Sequence, residues 1–153
     1  MRLFLGVALA LASVPAMAAL FGSLFAGHPP PTLGVREGRL APCPERPNCV
    51  ASQAADDAHR IAPLRFADAP RAAFARLVQT VAAFPGARVV TQRGEYLHAE
   101  FTSATMGFVD DVEFVLDAPA RTIHVRSASR LGYRDFGVNR ERVEKIRSAF
   151  AEG

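Results

Sequence analysis

The residues able to do chemistry crowd into one stretch of this 153-residue chain, from Phe108 to Arg142. Asp110, Asp111 and Glu113 stand on one run, Arg126 and Arg130 on the next, and Arg134, Asn139 and Arg140 follow. Paired carboxylates suggest a hydrolase, one acting as acid and the other as base. Adjacent residues on a strand point to opposite faces, however, so Asp110 and Asp111 are poor partners for that work. Asp110 is the sharper anomaly, because it shares its face with Phe108, Val112, Phe114 and Leu116. A carboxylate there must be hydrogen-bonded, ion-paired or protonated, since uncompensated burial is costly. Ser127 and Ser129 are inward neighbours able to donate to it, and the loop after Arg130 can bring Arg140 or backbone amides. The structural reading of Asp110 is an anchor between the sheet and the Gly132–Asn139 loop. The functional reading is a hydrolase built on Asp110 or Asp111.

The arginines suggest a second chemistry. Arg126, Arg130, Arg134 and Arg140 lie within fifteen residues, on a strand end, a glycine-containing loop and a helix start. Arginine holds a carboxylate or phosphate with two parallel hydrogen bonds, and a helix start adds unpaired amides. Asn139 sits where a cap or a ligand-facing amide would be. Asp110, Asp111, Arg126, Ser127, Arg130, Asn139 and Arg140 therefore form the candidate binding site for a small anion or a lipid headgroup. Its rival is internal neutralisation, in which Asp110, Asp111, Asp135 and Glu141 absorb the arginines.

These groups need a scaffold, and hydrophobic periodicity supplies one. Phe74, Leu77, Val78 and Val81 recur as one helical stripe, with Asp68 as its cap, Pro70 in its first turn and Phe84-Pro85-Gly86 at its end. Alternation predicts strands at Arg88–Gln92, Tyr96–Ser103, Phe108–Asp117 and Arg121–Arg130, while 58–67 reads as irregular. A last helix starts near Val138 or Asn139, capped by Asp135 or Asn139, and carries Val143, Ile146 and Phe150 inward. The order α-β-β-β-β-α with short links predicts a two-layer α+β domain: an antiparallel four-stranded sheet with both helices on one face.

Turn lengths then set the registers. A four-residue turn at 104–107 pairs Leu97 with Phe114, Ala99 with Val112 and Phe101 with Asp110, and sets His98 beside Glu113 and Glu100 beside Asp111. A two-residue turn at Ala118-Pro119 pairs Phe114 with Ile123 and Val112 with Val125, and sets Asp110 opposite Ser127, Asp111 opposite Arg126 and Glu113 opposite His124. Two polar rows follow on the helix-free face, His98–Glu113–His124 and Glu100–Asp111–Arg126. The first is a conceivable metal site, but no further ligand is implied and cross-strand charge pairing accounts for it, so no metal is expected.

The remaining chain speaks to compartment. Net charge is +3 and Lys145 is the sole lysine; with no basic run, nucleic-acid binding is not expected. From Leu3 to Gly27 there is no charge. Ala16-Met17-Ala18 fits a signal-peptide cleavage site, whereas uncut the run exceeds the roughly 20 residues that span a bilayer. Residues 1–27 are thus a signal peptide or an N-terminal membrane anchor, with the domain facing the periplasm. No cysteine sits near the end of the run, which argues against a lipoprotein. Residues 28–41, rich in proline and glycine, read as a linker before a single globular domain at 42–153. Cys43 and Cys49, the only cysteines, sit in a proline-restricted turn and read as a disulfide. A metal would need more ligands than two thiols, and a redox-active pair would lack its usual two-residue spacing.

Several of these motifs occur together elsewhere. Cys43-Pro-x-x-Pro-Asn48-Cys49-Val50 with Ser52, Gly107-Phe108-Val109-Asp110-Asp111-Val112-Glu113-Phe114, Arg126-Ser127-Ala128-Ser129-Arg130 and Gly137-Val138-Asn139-Arg140 resemble the domain of unknown function 1499 family. The resemblance runs from about Leu33 to the C-terminus; Ala51 stands where that pattern usually has serine. It implies no established activity, so no catalytic residue carries over. Nor does the chain hold a nucleophile elbow, a phosphate-cradling glycine loop, a zinc helix motif or a dinucleotide fingerprint, and no cofactor is expected. Three functions remain: a binding module for a small anion or lipid headgroup, a structural partner in a cell-envelope complex, and a hydrolase.

Overall fold

The computed structural model describes residues 25–153. All but the end of the signal-or-anchor segment falls outside them, and among the described residues no helix is long and apolar enough to cross a membrane. The elements are β1 (Cys49–Ala51), β2 (Leu64–Arg65), α1 (Pro70–Ala82), β3 (Ala87–Arg93), β4 (Tyr96–Thr102), β5 (Val109–Asp117), β6 (Thr122–Ser129) and α2 (Val138–Glu152). The sheet is antiparallel in the order β1-β6-β5-β4-β3, with β2 also paired to β6. The α+β, two-layer expectation holds, and β1 and β2 add two short strands to the four that alternation predicted. Both line the outer edge of β6, β1 against Arg126–Ala128 and β2 against Thr122 and Ile123.

One face of the sheet is apolar because alternate residues must share a side. Leu97, Ala99, Phe101, Val112, Phe114, Leu116, Ile123 and Val125 meet Phe74, Leu77 and Val81 of α1 and Val143, Ile146 and Phe150 of α2 in a single core. Helix α1 starts after Ala69 rather than on an Asp68 cap; Asp68 instead holds Arg76 at 2.5 Å. Pro70 opens the helix at little cost, since its missing N–H would have had no partner there. Asp135 does serve α2, accepting the amides of Gly137 (3.0 Å) and Asn139 (2.9 Å). At the α1–β3 corner Gly86 has φ +75°, and a Cβ there would fall 2.5 Å from the Thr102 carbonyl oxygen, so only glycine fits.

The β4–β5 register is the one turn length predicts, with Leu97 opposite Phe114 and Phe101 opposite Asp110. The β5–β6 register is not. Phe114 faces Val125, Glu113 faces Arg126 and Asp110 faces Ser129, two residues away from the expected pairing. The cause lies in the turn: Asp117 pairs with Thr122, so the loop holds Ala118, Pro119, Ala120 and Arg121, the last at φ 53°. The Arg121 amide closes it onto the Ala118 carbonyl, and the Asp117 side chain accepts the Ala120 amide. A slip of two residues keeps each side chain on its face, so the faces survive while every partner changes.

The other face carries Tyr96, His98, Glu100, Asp111, Glu113, Arg126 and Arg130, and residues 25–42 lie across it as a strap. Gly34 donates its amide to Glu113 Oε1 at 2.8 Å, and Pro30, Thr32 and Pro42 line a cleft with Asp111 and Arg126. Cys43 and Cys49, joined by the expected disulfide, tie the end of the strap to β1.

Candidate functional site

The seven expected site residues separate onto the two sides of the sheet. On the helix side, Asp110 is buried and accepts from Arg142 Nη2 at 2.5 Å. Arg142 Nη1 donates to Ser127 Oγ (3.0 Å) and to Asn139 Oδ1 (2.6 Å), while its guanidinium lies 5.0 Å from the Phe101 ring centre. Ser127 donates its hydroxyl to Asn139 Oδ1 at 2.6 Å. The Asn139 amide nitrogen reaches the Asn48 carbonyl, Ser129 Oγ and Asp135 Oδ2. Asp110 thus anchors sheet to helix, but through Arg142 and not Arg140. Arg140 reaches outward to the carbonyls of Arg60 and Ala58 and pins the 58–60 loop.

Asp111, Arg126 and Arg130 lie on the strap side. Arg130 is the strong partner of Asp111, donating from Nε to Oδ2 (2.8 Å) and from Nη2 to Oδ1 (2.7 Å), and it also reaches Glu100 at 2.6 Å. His98 Nε2 adds a contact to Asp111 Oδ1 at 2.8 Å. Burial pushes the Asp111 carboxyl up, but the hydrogen bonds from Arg130 and His98 outweigh it and hold the group below the usual carboxylate range. The same contest, with Arg130 and Arg88 opposing burial, lowers Glu100. Neither expected polar row exists as drawn. His98 turns to Asp111, and His124 faces Val115 and contacts Ser52, so the His98–Glu113–His124 set is not assembled. Arg126 faces Glu113, not Asp111, for the register reason given above.

Glu113 is wholly buried and well held, since Gly34 N–H and Tyr96 O–H both donate to its Oε1 at 2.8 Å. Burial, and then the nearby Glu113 carboxylate, push the Tyr96 hydroxyl up, which keeps it a donor. Arg126 is held far less well. It is 5% exposed, its one side-chain hydrogen bond among the described residues is a 3.4 Å contact from Nη1 to Glu113 Oε2, and its buried Nε has no partner. Asn48 is 2% exposed, and although its amide nitrogen donates to the Gly132 carbonyl at 2.9 Å, its buried Oδ1 also has no partner among the described residues.

Both residues line one cleft of about 420 Å³ between strap and sheet, walled by the Cys43–Cys49 turn, Asp111, Ser129 and Arg130, with Arg46 at the rim. Sequence reasoning missed Asn48 and Arg142. Asn48 had a signal, because it stands inside the proline-cysteine motif. Arg142 had one too: it flanks the Asn139–Val143–Ile146–Phe150 stripe that must cover Asp110.

Fold and site together define a class: a small two-layer α+β domain whose sheet is closed by a disulfide-tied strap over a polar cleft. The family described as Protein of unknown function (DUF1499) matches residues 39–150, and the chain belongs to it. No curated protein and no solved structure matches the chain.

Proposed function

We propose that this domain is a non-catalytic binding module whose ligand enters the cleft under the strap and meets Arg126 and Asn48. One observation carries the reading: a buried guanidinium N–H and a buried amide oxygen, both without partners among the described residues, belong to two residues that line the same cavity. Buried polar atoms are nearly always hydrogen-bonded, and each one left open is destabilising, so two in one cleft call for a complementary molecule. That molecule offers an acceptor to the arginine and a donor to the asparagine. A small phosphate- or carboxylate-bearing compound with a hydroxyl or ammonium group, such as the headgroup of an aminophospholipid, has both. Asp110 and Asp111 support a non-catalytic role, for each is engaged by an arginine and they face opposite sides of the sheet. The disulfide supports export to an oxidising compartment such as the periplasm, with the charge-free segment as signal or anchor.

The test is calorimetric titration of the full chain with O-phosphoethanolamine, inorganic phosphate and acetate. Binding is expected for the first and, more weakly, for the second, with at least a tenfold loss in Arg126→Gln and in Asn48→Ala, a loss of about 1.4 kcal/mol or more. If none of the three binds and native mass spectrometry of protein from its own membranes shows no retained mass, the cleft is not a ligand site.

A further inference from the structure

The β6–α2 loop and the first residue of α2 hold Leu131, Tyr133, Phe136 and Val138 partly or wholly out in solvent, with Phe136 93% exposed. Phe136 also adopts φ 54°, a left-handed conformation that side chains with a Cβ avoid. The loop is not loosely attached. Asn48 Nδ2 grips the Gly132 carbonyl, and Asp135 accepts the amides of Gly137 and Asn139. A fixed backbone therefore presents Phe136 outward, in a strained conformation, with almost no packing inside the domain to offset it. Strain kept where the fold gains nothing is a mark of a functional surface.

What lies beside the loop says what covers it. The strap begins there: a Cβ on Gly27 would stand 3.1 Å from Leu131 Cγ, and the Phe25 ring lies 5.3 Å from that of Phe108. Phe25 is itself exposed, as is Met106 two residues before Phe108. This apolar end of the domain is thus where the chain arrives from its charge-free run, Leu3 to Gly27. Arg134, exposed within the same loop, supplies a cation among the aromatic groups. Aromatic side chains mixed with arginine suit the level of phospholipid headgroups, where one end of the group is apolar and the other wet.

We propose that this end of the domain docks on a phospholipid bilayer, with Tyr133 and Phe136 entering the boundary between headgroups and acyl chains and Arg134 meeting phosphates. None of Tyr133, Arg134 and Phe136 lines the cleft, so the contact stands or falls without a ligand there. The chain has no tryptophan, so Phe136→Trp places a single tryptophan, excited selectively over tyrosine, at the proposed contact. Val90→Trp is the reference, because Val90 is exposed on β3, the sheet edge furthest from β6. Full-length chain is reconstituted with vesicles of phosphatidylethanolamine and phosphatidylglycerol, with and without bromine on the acyl chains. The expected result is a blue shift and bromolipid quenching at position 136, with neither at position 90. If position 136 rejects tryptophan, Tyr133→Trp in the same loop carries the readout. Quenching at both positions or at neither overturns the proposal. So does a blue shift of Phe136→Trp that grows with protein concentration in the absence of lipid, which would assign the patch to a second copy of the chain.

Discussion

On the helix side of the sheet, Asn139 uses its side-chain amide in five hydrogen bonds and Arg142 closes onto Asp110, Ser127 and Asn139. On the strap side, Arg130 is answered as fully, yet Arg126 has one long contact and Asn48 an open oxygen. Both sides bury arginine against carboxylate within one small domain. A closed network, where each partner consumes the other's valence, acts as a strut and offers nothing to a ligand. An open one keeps donors and acceptors in reserve at a site the fold has already desolvated, and that reserve can be spent on binding. Charge alone does not separate the two; satisfaction does.

The largest expected effect tests the closed side. Arg142→Ala strands the buried Asp110 carboxylate and removes a donor from Ser127 and Asn139. Breaking such a pair costs about 3–5 kcal/mol, so urea unfolding should show a loss of that order. Asp110→Ala combined with Arg142→Ala should cost less than the sum of the two single changes, because the groups act as a unit. A loss below about 1 kcal/mol in Arg142→Ala would mean that the hub is not a strut.

A middle-sized effect tests the answered arginine on the strap side. Arg130→Gln removes charge-assisted hydrogen bonds from Asp111 and should cost about 2 kcal/mol near neutral pH. It should also change the acid response. The folded pKa of Asp111 lies below its ordinary value of 3.8, so its contribution is full above that value and is lost as pH falls through the folded pKa. Wild type should therefore weaken in that acid window, whereas Arg130→Gln, having forfeited the contribution already, should show a flatter curve there. Parallel pH profiles for the two proteins would contradict the pairing.

The same contrast explains what sequence alone could read. Alternation put Asp110 among Phe108, Val112 and Phe114 and sent Asp111 and Glu113 to the other side, and those faces are the observed ones. It could not separate two registers differing by two residues, since both keep every side chain on its own face. The deciding conformation, Arg121 at φ 53°, has no glycine or asparagine to announce it. Strands of three and two residues, as β1 and β2 are, hold too few alternations to show a period. Proline and glycine in residues 28–41 announced an irregular segment, but nothing in them announced that Gly34 would meet Glu113 seventy-nine residues on. The open valences of Arg126 and Asn48 are a property of three-dimensional surroundings and leave no pattern in the chain.

The smallest expected effect is the sharpest test of the comparison. Arg126 is buried and Arg142 half-buried, each facing a carboxylate, and a tally of ion pairs would rank them alike. Arg126→Met keeps most of the side-chain volume and removes one 3.4 Å contact together with a buried N–H that had no partner. Glu113 keeps both of its short hydrogen bonds, from Gly34 and Tyr96, so it is not stranded as Asp110 would be. Desolvating a guanidinium costs several kcal/mol that a poorly satisfied site does not return, and replacing such a group with an apolar one is often neutral or stabilising. Stability of Arg126→Met should then lie within about 1 kcal/mol of wild type, while Arg142→Met should lose several. Two equal losses would erase the distinction between a closed and an open side. A near-silent Arg126→Met that also abolishes O-phosphoethanolamine binding would give the arginine its role, since a side chain whose burial contributes so little to the fold is retained for what it holds.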